Sequence, residues 1–201
     1  YSTTNSISEM TLSNLEKFLN IKIKRKNYQL NNINVKFLNE AKKLLPNNNY
    51  IGFSITQGNK YRKKSWPLKN FIELAKKIQM MNKIPVFFLE KSNEEIANQI
   101  KSELPTVLIP EQESNLTSPA LVTALASRLG GAVSIDNGVM HMISLAAVPL
   151  IVLFGPTNAE KFAPNYKGSV VLDSKKIYKT KKISAITVED VLAASKHFVN
   201  S

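Results

Sequence analysis

The segment from residue 132 to residue 157 constrains the fold of this chain more than any other stretch. An apolar run ends in Asp-Asn-Gly at 136–138, and a second apolar run ends in Gly-Pro-Thr at 155–157. Between them the apolar residues of 139–147 recur at helical spacing, which predicts a strand, a tight elbow, a helix, a second strand and a polar loop. In a parallel α/β sheet such an elbow lies at the carboxyl end of its strand, where these folds bind ligands.

The Asn-Gly pair 137–138 also admits a β-hairpin, because Asn-Gly between apolar runs is the strongest short hairpin signal. A hairpin requires a second strand of alternating polarity directly after the turn. Val139, Met140, Ile143 and Leu145 follow helical spacing instead. We therefore favour the elbow over the hairpin.

From Tyr50 onwards, apolar strand-like runs alternate with amphipathic helical segments, which is typical of a parallel sheet covered on both faces. The sequence therefore predicts an α/β fold, a Rossmann-like doubly wound parallel sheet. The predicted strands lie near residues 50–55, 85–89, 106–109, 132–135, 150–154 and 169–172.

Capping signals predict where several helices begin. Pro67 is suited to the first turn of a helix, where its missing N–H costs no hydrogen bond. Ser92, with Glu95 three residues later, has the spacing of a capping box. Ser118 and Thr187 are the predicted caps of two later helices.

A crevice is predicted where the first and fourth predicted strands become neighbours, as the usual doubly wound order requires. This order brings residues 56–64 next to residues 136–141. The first of these segments contains the basic residues Lys60, Arg62, Lys63 and Lys64. A helix amino terminus presents unpaired N–H groups and a partial positive charge, so we expect a diphosphate between the two segments.

The charge of the chain favours anionic ligands. The formal net charge is +12 over 201 residues, which does not by itself separate a nucleotide sugar, nucleic acid and an anionic membrane. Aromatic residues are not interleaved with the basic ones, so we expect no nucleic-acid partner. No apolar run approaches the roughly 18 residues of a membrane span, and no signal pattern precedes the first helix. We expect a cytoplasmic chain, with peripheral association with the anionic inner face of an inner membrane left open.

Metal and cofactor chemistry find little support in the sequence. Cysteine is absent, and the three aspartates, Asp136, Asp173 and Asp190, are far apart in the chain. No paired carboxylates are therefore predicted to hold a divalent cation on a diphosphate. Neither a Gly-x-Gly-x-x-Gly nor a Gly-x-x-x-x-Gly-Lys-Ser/Thr motif follows a predicted strand. We expect no metal site and no cofactor.

Four motifs occur in order along the chain. They are Lys64-Ser65-Trp66-Pro67, Asp136-Asn137-Gly138-x-x-His141, Phe154-Gly155-Pro156-Thr157 and Ala163-Pro164. Together they resemble the motifs of the family 9 glycosyltransferases, the ADP-heptose:lipopolysaccharide heptosyltransferases. The resemblance runs from about Tyr50 to the end of the chain.

The resemblance implies a GT-B carboxyl-terminal domain that binds a nucleotide-activated sugar, with ADP-heptose as the expected donor for transfer to lipopolysaccharide core. In the family the reaction inverts the anomeric carbon, and a carboxylate of the amino-terminal domain is the general base. We expect residues 50–201 to be the nucleotide-sugar-binding domain and residues 1–49 to be a remnant of the amino-terminal domain and linker. The chain opens on Tyr1 without Met, which suggests a fragment. The catalytic base and the lipopolysaccharide-type acceptor site are then expected outside it, and this chain alone is expected to bind donor without transferring sugar.

The crevice and the resemblance together define the expected donor-binding residues. They are Thr56, Gln57, Lys64, Glu94, Asp136, Asn137, Gly138, His141 and Thr157. Lys64 is expected to contact phosphate, and Glu94 to bind the ribose.

Several of these residues have a purely structural alternative. Lys64 could be one solvated charge in a basic run, and Glu94 could be a first-turn helix charge. Asp136 could cap the following helix, and Gly138 could supply conformational freedom or a close backbone approach at the elbow. His141 could be a packed or capping side chain.

Two alternative functions remain open at this stage. One is a non-catalytic Rossmann-like module that binds a sugar nucleotide as a sensor or adaptor. The other is a GT-B-like epimerase of sugar nucleotides, whose acid and base residues cannot be located in the sequence.

Overall fold

The computed structural model of the chain describes residues 7–24, 29–57 and 64–199. Three of the four basic residues that were predicted to face the elbow, Lys60, Arg62 and Lys63, lie outside the described residues. Lys64, the fourth, is described.

The described residues alternate between strands and helices as the sequence predicts. The strands are β1 (Tyr50–Ser54), β2 (Ile84–Phe88), β3 (Leu129–Ile135), β4 (Leu150–Phe154) and β5 (Ser169–Asp173). The helices are α1 (Ile7–Leu19), α2 (Val35–Leu44), α3 (Leu68–Gln79), α4 (Glu94–Glu103), α5 (Pro110–Glu113), α6 (Pro119–Ala126), α7 (Gly138–Leu145), α8 (Ala159–Phe162), α9 (Ser174–Tyr178) and α10 (Val188–Val199). None of the helices within the described ranges is long and apolar enough to cross a membrane.

The strands form one sheet in the order β2-β1-β3-β4-β5, and every pairing is parallel. The α/β fold with a doubly wound parallel sheet is therefore confirmed. The predicted neighbourhood of the first and fourth strands is also confirmed, because these strands are β1 and β3.

The strand predicted at 106–109 is wrong. The segment makes a single parallel bridge to β2, between Val86 and Leu108. The Leu108 carbonyl accepts a hydrogen bond from the Phe87 N–H at 2.8 Å. Pro105 and Pro110 flank the segment, and α5 begins at Pro110, so too few residues remain to extend the ladder.

Helices cover both faces of the sheet, and alternate strand residues point to opposite faces. One core joins Ile51 and Phe53 of β1 to α3, α4 and α10. The other joins Tyr50 and its neighbours on β2, β3 and β4 to α2, α6 and α7. This two-sided burial explains why the strands are apolar at nearly every position.

Helix α2 belongs to the second of these cores, although it precedes β1. Ala41 and Leu45 are buried there. The Arg128 guanidinium donates hydrogen bonds to the carbonyls of Leu45, Pro46 and Asn47 at 3.1 Å. The chain before β1 is thus packed on the sheet from α2 onwards, while the division at residue 49 stays a prediction.

The helix caps agree with the sequence at two of the three predicted positions. The Ser118 hydroxyl accepts from the Ala120 N–H at 3.1 Å, and the Thr187 hydroxyl accepts from the Asp190 N–H at 3.1 Å. The capping box at Ser92 is wrong. A 3₁₀ turn over Lys91–Asn93 precedes α4, and Asn93 is the capping residue, whose side chain accepts no hydrogen bond from the N–H groups of α4.

Trp66 fixes the start of α3 on the sheet. Its side chain is 2% exposed and packs edge-to-face on Phe71, with ring centroids 4.9 Å apart. Its indole N–H donates to the Ile186 carbonyl at 2.8 Å. The residue that follows Lys64 and Ser65 is therefore anchored in the core, which restricts where Lys64 can lie.

We predict that Trp66→Ala lowers the free energy of unfolding by about 3–5 kcal/mol, because it opens a cavity and leaves the Ile186 carbonyl without its partner. Trp66→Phe should cost less, since most of the packing remains. Phe18→Ala is the control, because Phe18 is 86% exposed and its loss should change stability by less than about 0.5 kcal/mol. Denaturant unfolding measures all three, and a Trp66→Ala loss no larger than that of Phe18→Ala would contradict the anchoring role.

Candidate functional site

A crevice opens between the carboxyl ends of β1 and β3. The two strands run side by side to Ser54 and Ser134, which are paired in register. After β1 the chain crosses to β2 on one side, and after β3 it crosses to β4 on the other. The two connections diverge, and this divergence is what forms a ligand crevice in open α/β sheets.

Asn137 ties the two sides of the crevice together. Its amide nitrogen donates to the Ser54 hydroxyl and to the Thr56 carbonyl, each at 2.8 Å. Its amide oxygen accepts from the Met140 N–H at 2.8 Å, so the same side chain caps α7. Both amide hydrogens are used within the protein, and the Asn137 side chain therefore supports the crevice.

The capping interpretation of Asp136 is wrong, because Asn137 caps α7. Helix α7 begins one residue later, at Gly138. The predicted need for conformational freedom at Gly138 is also wrong, since Gly138 does not have a positive φ. An added Cβ at Gly138 would meet no described atom within 4 Å. Among the described residues, the amino-terminal residue of α7 therefore has free space beside it.

Lys64 lies against the elbow. Its ammonium donates to the Asp136 carboxylate at 2.8 Å and to the Asp136 carbonyl at 3.1 Å. The two side chains are 14% and 8% exposed. Lys64 is also held through its backbone, whose N–H donates to the Gln57 side chain at 2.9 Å. The interpretation of Lys64 as a solvated charge is therefore wrong.

His141 lies one turn into α7, on the same side as this ion pair. It keeps contact with solvent, yet many protein atoms surround its imidazole. Burial lowers the pKa of His141; Asp136 opposes this shift and Lys64 adds to it. The imidazole is therefore neutral at pH 7 and can donate one N–H and accept at its other nitrogen.

Thr157 ends the loop that follows β4. Its carbonyl accepts from the Lys175 ammonium, and its hydroxyl is buried without a partner among the described residues. The loop is close-packed, because an added Cβ at Gly155 would lie 2.8 Å from the Cβ of Ile183. Thr157 is thus held at the same edge of the sheet as the elbow.

A cavity of about 490 Å³ lies beside α7, at the carboxyl end of β2. Its apolar side includes Val139 and Met142 of α7, and its polar side includes Glu90, Glu111 and Ser118. The structure thus gives a concave site next to the crevice, with an acidic wall that the sequence did not predict.

Glu94 does not line this cavity. It is exposed in the first turn of α4, whereas Glu90, directly beyond β2, lines the cavity. Strand position could have identified Glu90, because it is the first acidic residue after β2. Glu111 has no such signal, since only the tertiary fold brings α5 to the end of β2.

The predicted residues divide into three groups. Thr56, Gln57, Lys64, Asp136 and Asn137 meet in one hydrogen-bonded cluster at the crevice. The second group lies beside this cluster: Gly138 and His141 are in α7, and Thr157 is in the loop after β4. Glu94 lies apart from them, in α4.

Burial is the main cause that raises the pKa of Glu111 to about 7, and repulsion from Glu90 adds to it. A hydrogen bond from the Leu89 backbone acts in the opposite direction. Below pH 7 the Glu111 carboxyl is protonated, and above pH 7 it is a charged acceptor in a partly desolvated position.

We predict that the ion pair of Lys64 and Asp136 contributes to stability because neither partner is well solvated. Lys64→Met and Asp136→Asn should each lower the free energy of unfolding by about 1–3 kcal/mol. The double variant should lose less than the sum, since the second change relieves the unpaired charge. Lys76 and Glu103 are the matched control: their atoms are 2.6 Å apart but the side chains are 45% and 51% exposed, so their coupling should stay below about 1 kcal/mol. Equal coupling in the two pairs would contradict this prediction.

We also predict a pH dependence of stability that Glu111 causes. The native state keeps the Glu111 proton up to about pH 7, whereas the unfolded chain releases it near 4.5, so stability falls as pH rises between these values. The loss is at most roughly 3 kcal/mol, at about 1.4 kcal/mol per pKa unit. The free energy of unfolding should be measured at pH 5 and at pH 8. It should decrease less between these values for Glu111→Gln than for the unmodified chain. Glu113→Gln, an exposed change in the same helix, should leave the decrease unaltered.

Three solved structures are similar to this chain. One is the glycosyl transferase family 9 from Veillonella parvula DSM 2008, with a TM-score of 0.81 and 22% identity over 99% of this chain and 61% of that chain. The second is E. coli ADP-heptose lps heptosyltransferase II, with a TM-score of 0.66 and 19% identity over 84% of this chain and 52% of that chain. The third is E. coli heptosyltransferase WaaC with ADP, with a TM-score of 0.64 and 19% identity over 78% of this chain and 48% of that chain.

At these identities the likeness shows the fold, and this chain covers between 48% and 61% of the length of the three structures. No curated protein matches the sequence. The family model described as glycosyltransferase family 9 (heptosyltransferase) matches residues 8–192, from α1 into α10. Because this match spans most of the chain, the chain belongs to glycosyltransferase family 9, the heptosyltransferase family.

Proposed function

We propose that this chain is the donor-binding half of an inverting glycosyltransferase. The expected donor is ADP-heptose, for transfer to a lipopolysaccharide core acceptor. The observation that carries the proposal is the crevice between β1 and β3, in which the open amino terminus of α7 lies next to the Lys64 ammonium. The similar structures include a heptosyltransferase with ADP and one with ADP-2-deoxy-2-fluoro heptose, which supports a nucleotide-sugar ligand.

The diphosphate would lie between α7 and Lys64. The first N–H groups of α7 have no intrahelical acceptors and carry the positive end of the helix dipole. The Lys64 ammonium donates to two described oxygens, both of Asp136, and an ammonium has three donors. One donor is then left for a phosphate oxygen without loss of the ion pair. Asp136 would hold Lys64 in position.

The same groups would assist departure of the nucleoside diphosphate. When the bond from the anomeric carbon to the diphosphate oxygen breaks, negative charge grows on the leaving group. Donors already fixed in place stabilise such charge without reorganising. The neutral His141 can add one N–H from the next turn of α7.

Asp136 is unsuited to act as the general base for the acceptor. Its carboxylate is largely buried and is already hydrogen-bonded to Lys64. As the family resemblance implies, we place the base in the amino-terminal domain, and this chain alone would then bind donor without transferring sugar.

The nucleoside would occupy the cavity beside α7. Glu90 follows β2, and an acidic residue at the end of the second strand is where many dinucleotide-binding folds hold a ribose hydroxyl. We assign this role to Glu90 in preference to Glu94, which does not line the cavity.

We predict that Lys64→Ala weakens ADP and ADP-sugar binding by about 10- to 100-fold, because a charge-assisted hydrogen bond to phosphate is lost and the Asp136 carboxylate is left unopposed. Adenosine, which lacks phosphates, should bind the variant and the unmodified chain equally. Calorimetry below the unfolding temperature of the variant gives both affinities.

Lys101→Ala is the control, because it removes the same charge from the exposed last turn of α4. Its ADP affinity should stay within about twofold, since it can act only through screened long-range attraction. If Lys64→Ala also stays within twofold, the diphosphate does not bind at Lys64 and the assigned site is wrong.

A further inference from the structure

The cavity beside α7 is lined by both apolar and charged side chains. Leu121 and Val122 of α6, with Val139 and Met142 of α7, are apolar lining residues. Glu90, Lys91 and Glu111 are its charged lining residues. Its volume of about 490 Å³ is within the usual range of small-molecule sites. A flat aromatic group with polar edges suits such a slot, because its faces can pack on apolar side chains while its edges meet the polar side.

Glu111 is held firmly in this cavity. Pro110, directly before it, is buried, and so is Ser114 at the other end of α5. The Ser114 hydroxyl donates to the Glu40 carboxylate of α2 at 2.9 Å. The Glu111 carboxyl itself accepts a hydrogen bond from the Leu89 backbone, just beyond β2. Its position is therefore set by the core, unlike that of the exposed Glu113.

A fixed, partly desolvated carboxylate discriminates between nucleobases. Adenine, cytosine and guanine each carry an exocyclic amino group, which can donate to a carboxylate placed at that position, whereas uracil and thymine have exocyclic carbonyl oxygens and only the ring N3–H as a donor. An acceptor that faces another acceptor loses its water without gaining a hydrogen bond, and such unpaired groups are costly. The carboxylate thus favours one class of base over the other.

We propose that Glu111 selects the nucleobase of the donor by accepting a hydrogen bond from an exocyclic amino group, and that it disfavours uridine and thymidine donors. This inference rests on the proposed function and deepens it. The base would pack against Val139 and Met142, with its amino edge towards α5. The contact is strongest when the carboxyl is charged, above pH 7.

The test measures the affinities of ADP, CDP, GDP and UDP for the 201-residue chain by calorimetry at pH 6 and pH 8. At pH 8 the tightest amino-bearing diphosphate should bind at least about tenfold better than UDP, as one charge-assisted hydrogen bond implies. At pH 6 this ratio should shrink. Glu90 and Lys91 also face the cavity, and Glu40 contacts Ser114 at the end of α5, so the pH effect is assigned to Glu111 only if Glu111→Gln abolishes it.

Glu111→Gln should reduce the ratio to about threefold or less, because a neutral amide can turn either its oxygen or its nitrogen towards the base. Glu113→Gln, the matched change on the exposed side of α5, should keep the full ratio. Thermal unfolding at pH 8 checks that both variants are folded. If Glu111→Gln fails to fold, the unmodified chain can still overturn the proposal, because equal affinities for UDP and the amino-bearing diphosphates at pH 8 would contradict it.

The outcomes separate the two proposals. If the four diphosphates bind with dependence on Lys64 but the unmodified chain does not prefer amino-bearing bases, the role of Glu111 is overturned and the donor site stands. An unchanged ratio of the amino-bearing diphosphate affinity to the UDP affinity in Glu111→Gln would also overturn the role of Glu111 and leave the donor site standing. If none of the four diphosphates binds, the proposed function fails, and the selection of the base fails with it.

Discussion

The amide of Asn137 is the contact on which the rest of the site depends. It joins the end of β1 to the end of β3, through Ser54 and Thr56, and it also caps α7. Neighbouring parallel strands whose connections diverge would otherwise be free to separate at their carboxyl ends. The Asn137 side chain therefore joins the two connections just beyond the last strand pair, as the Lys64–Asp136 ion pair also does, and it fixes the start of α7.

Lys64 and Asp136 fix the electrostatics of this crevice in a way that net charge does not reveal. The chain carries +12, yet Lys64, the described cation at the elbow before α7, is paired with a carboxylate. An ammonium in solution would have to be ordered when a ligand binds, and that ordering costs conformational entropy. Here the fold orders it in advance, with Trp66 anchored two residues later. Pairing with Asp136 weakens the attraction of Lys64 for anions. It also holds the Lys64 ammonium, a hydrogen-bond donor, in a fixed position.

Most of the fold could be predicted from the sequence, because periodicity and caps are local properties. The elbow at 136–138 and the pairing of β1 with β3 were both predicted correctly, and the same reasoning located Lys64 at the crevice. The failures concern partners that are distant in sequence. Lys64 and Asp136 are 72 residues apart, so nothing local indicated their ion pair. Glu111 reaches the cavity only through the packing of α5 on β2. The strand predicted at 106–109 failed for a local reason instead, because the flanking Pro105 and Pro110 leave room for only one bridge, at Leu108.

The two ends of the site differ in charge, and this difference bears on how a ligand would be oriented. Cationic and N–H groups meet at Lys64 and α7, whereas carboxylates meet at Glu90 and Glu111. A nucleoside diphosphate has the complementary polarity, since its phosphates are anionic and its sugar hydroxyls and amino group are donors. The reversed orientation would place phosphates against Glu90 and, above pH 7, against the charged Glu111, although Lys91 also lines this cavity. Like charges in a partly desolvated cavity repel strongly. Under the proposed function, repulsion at the acidic end therefore excludes the wrong orientation, while attraction at the other end binds the diphosphate.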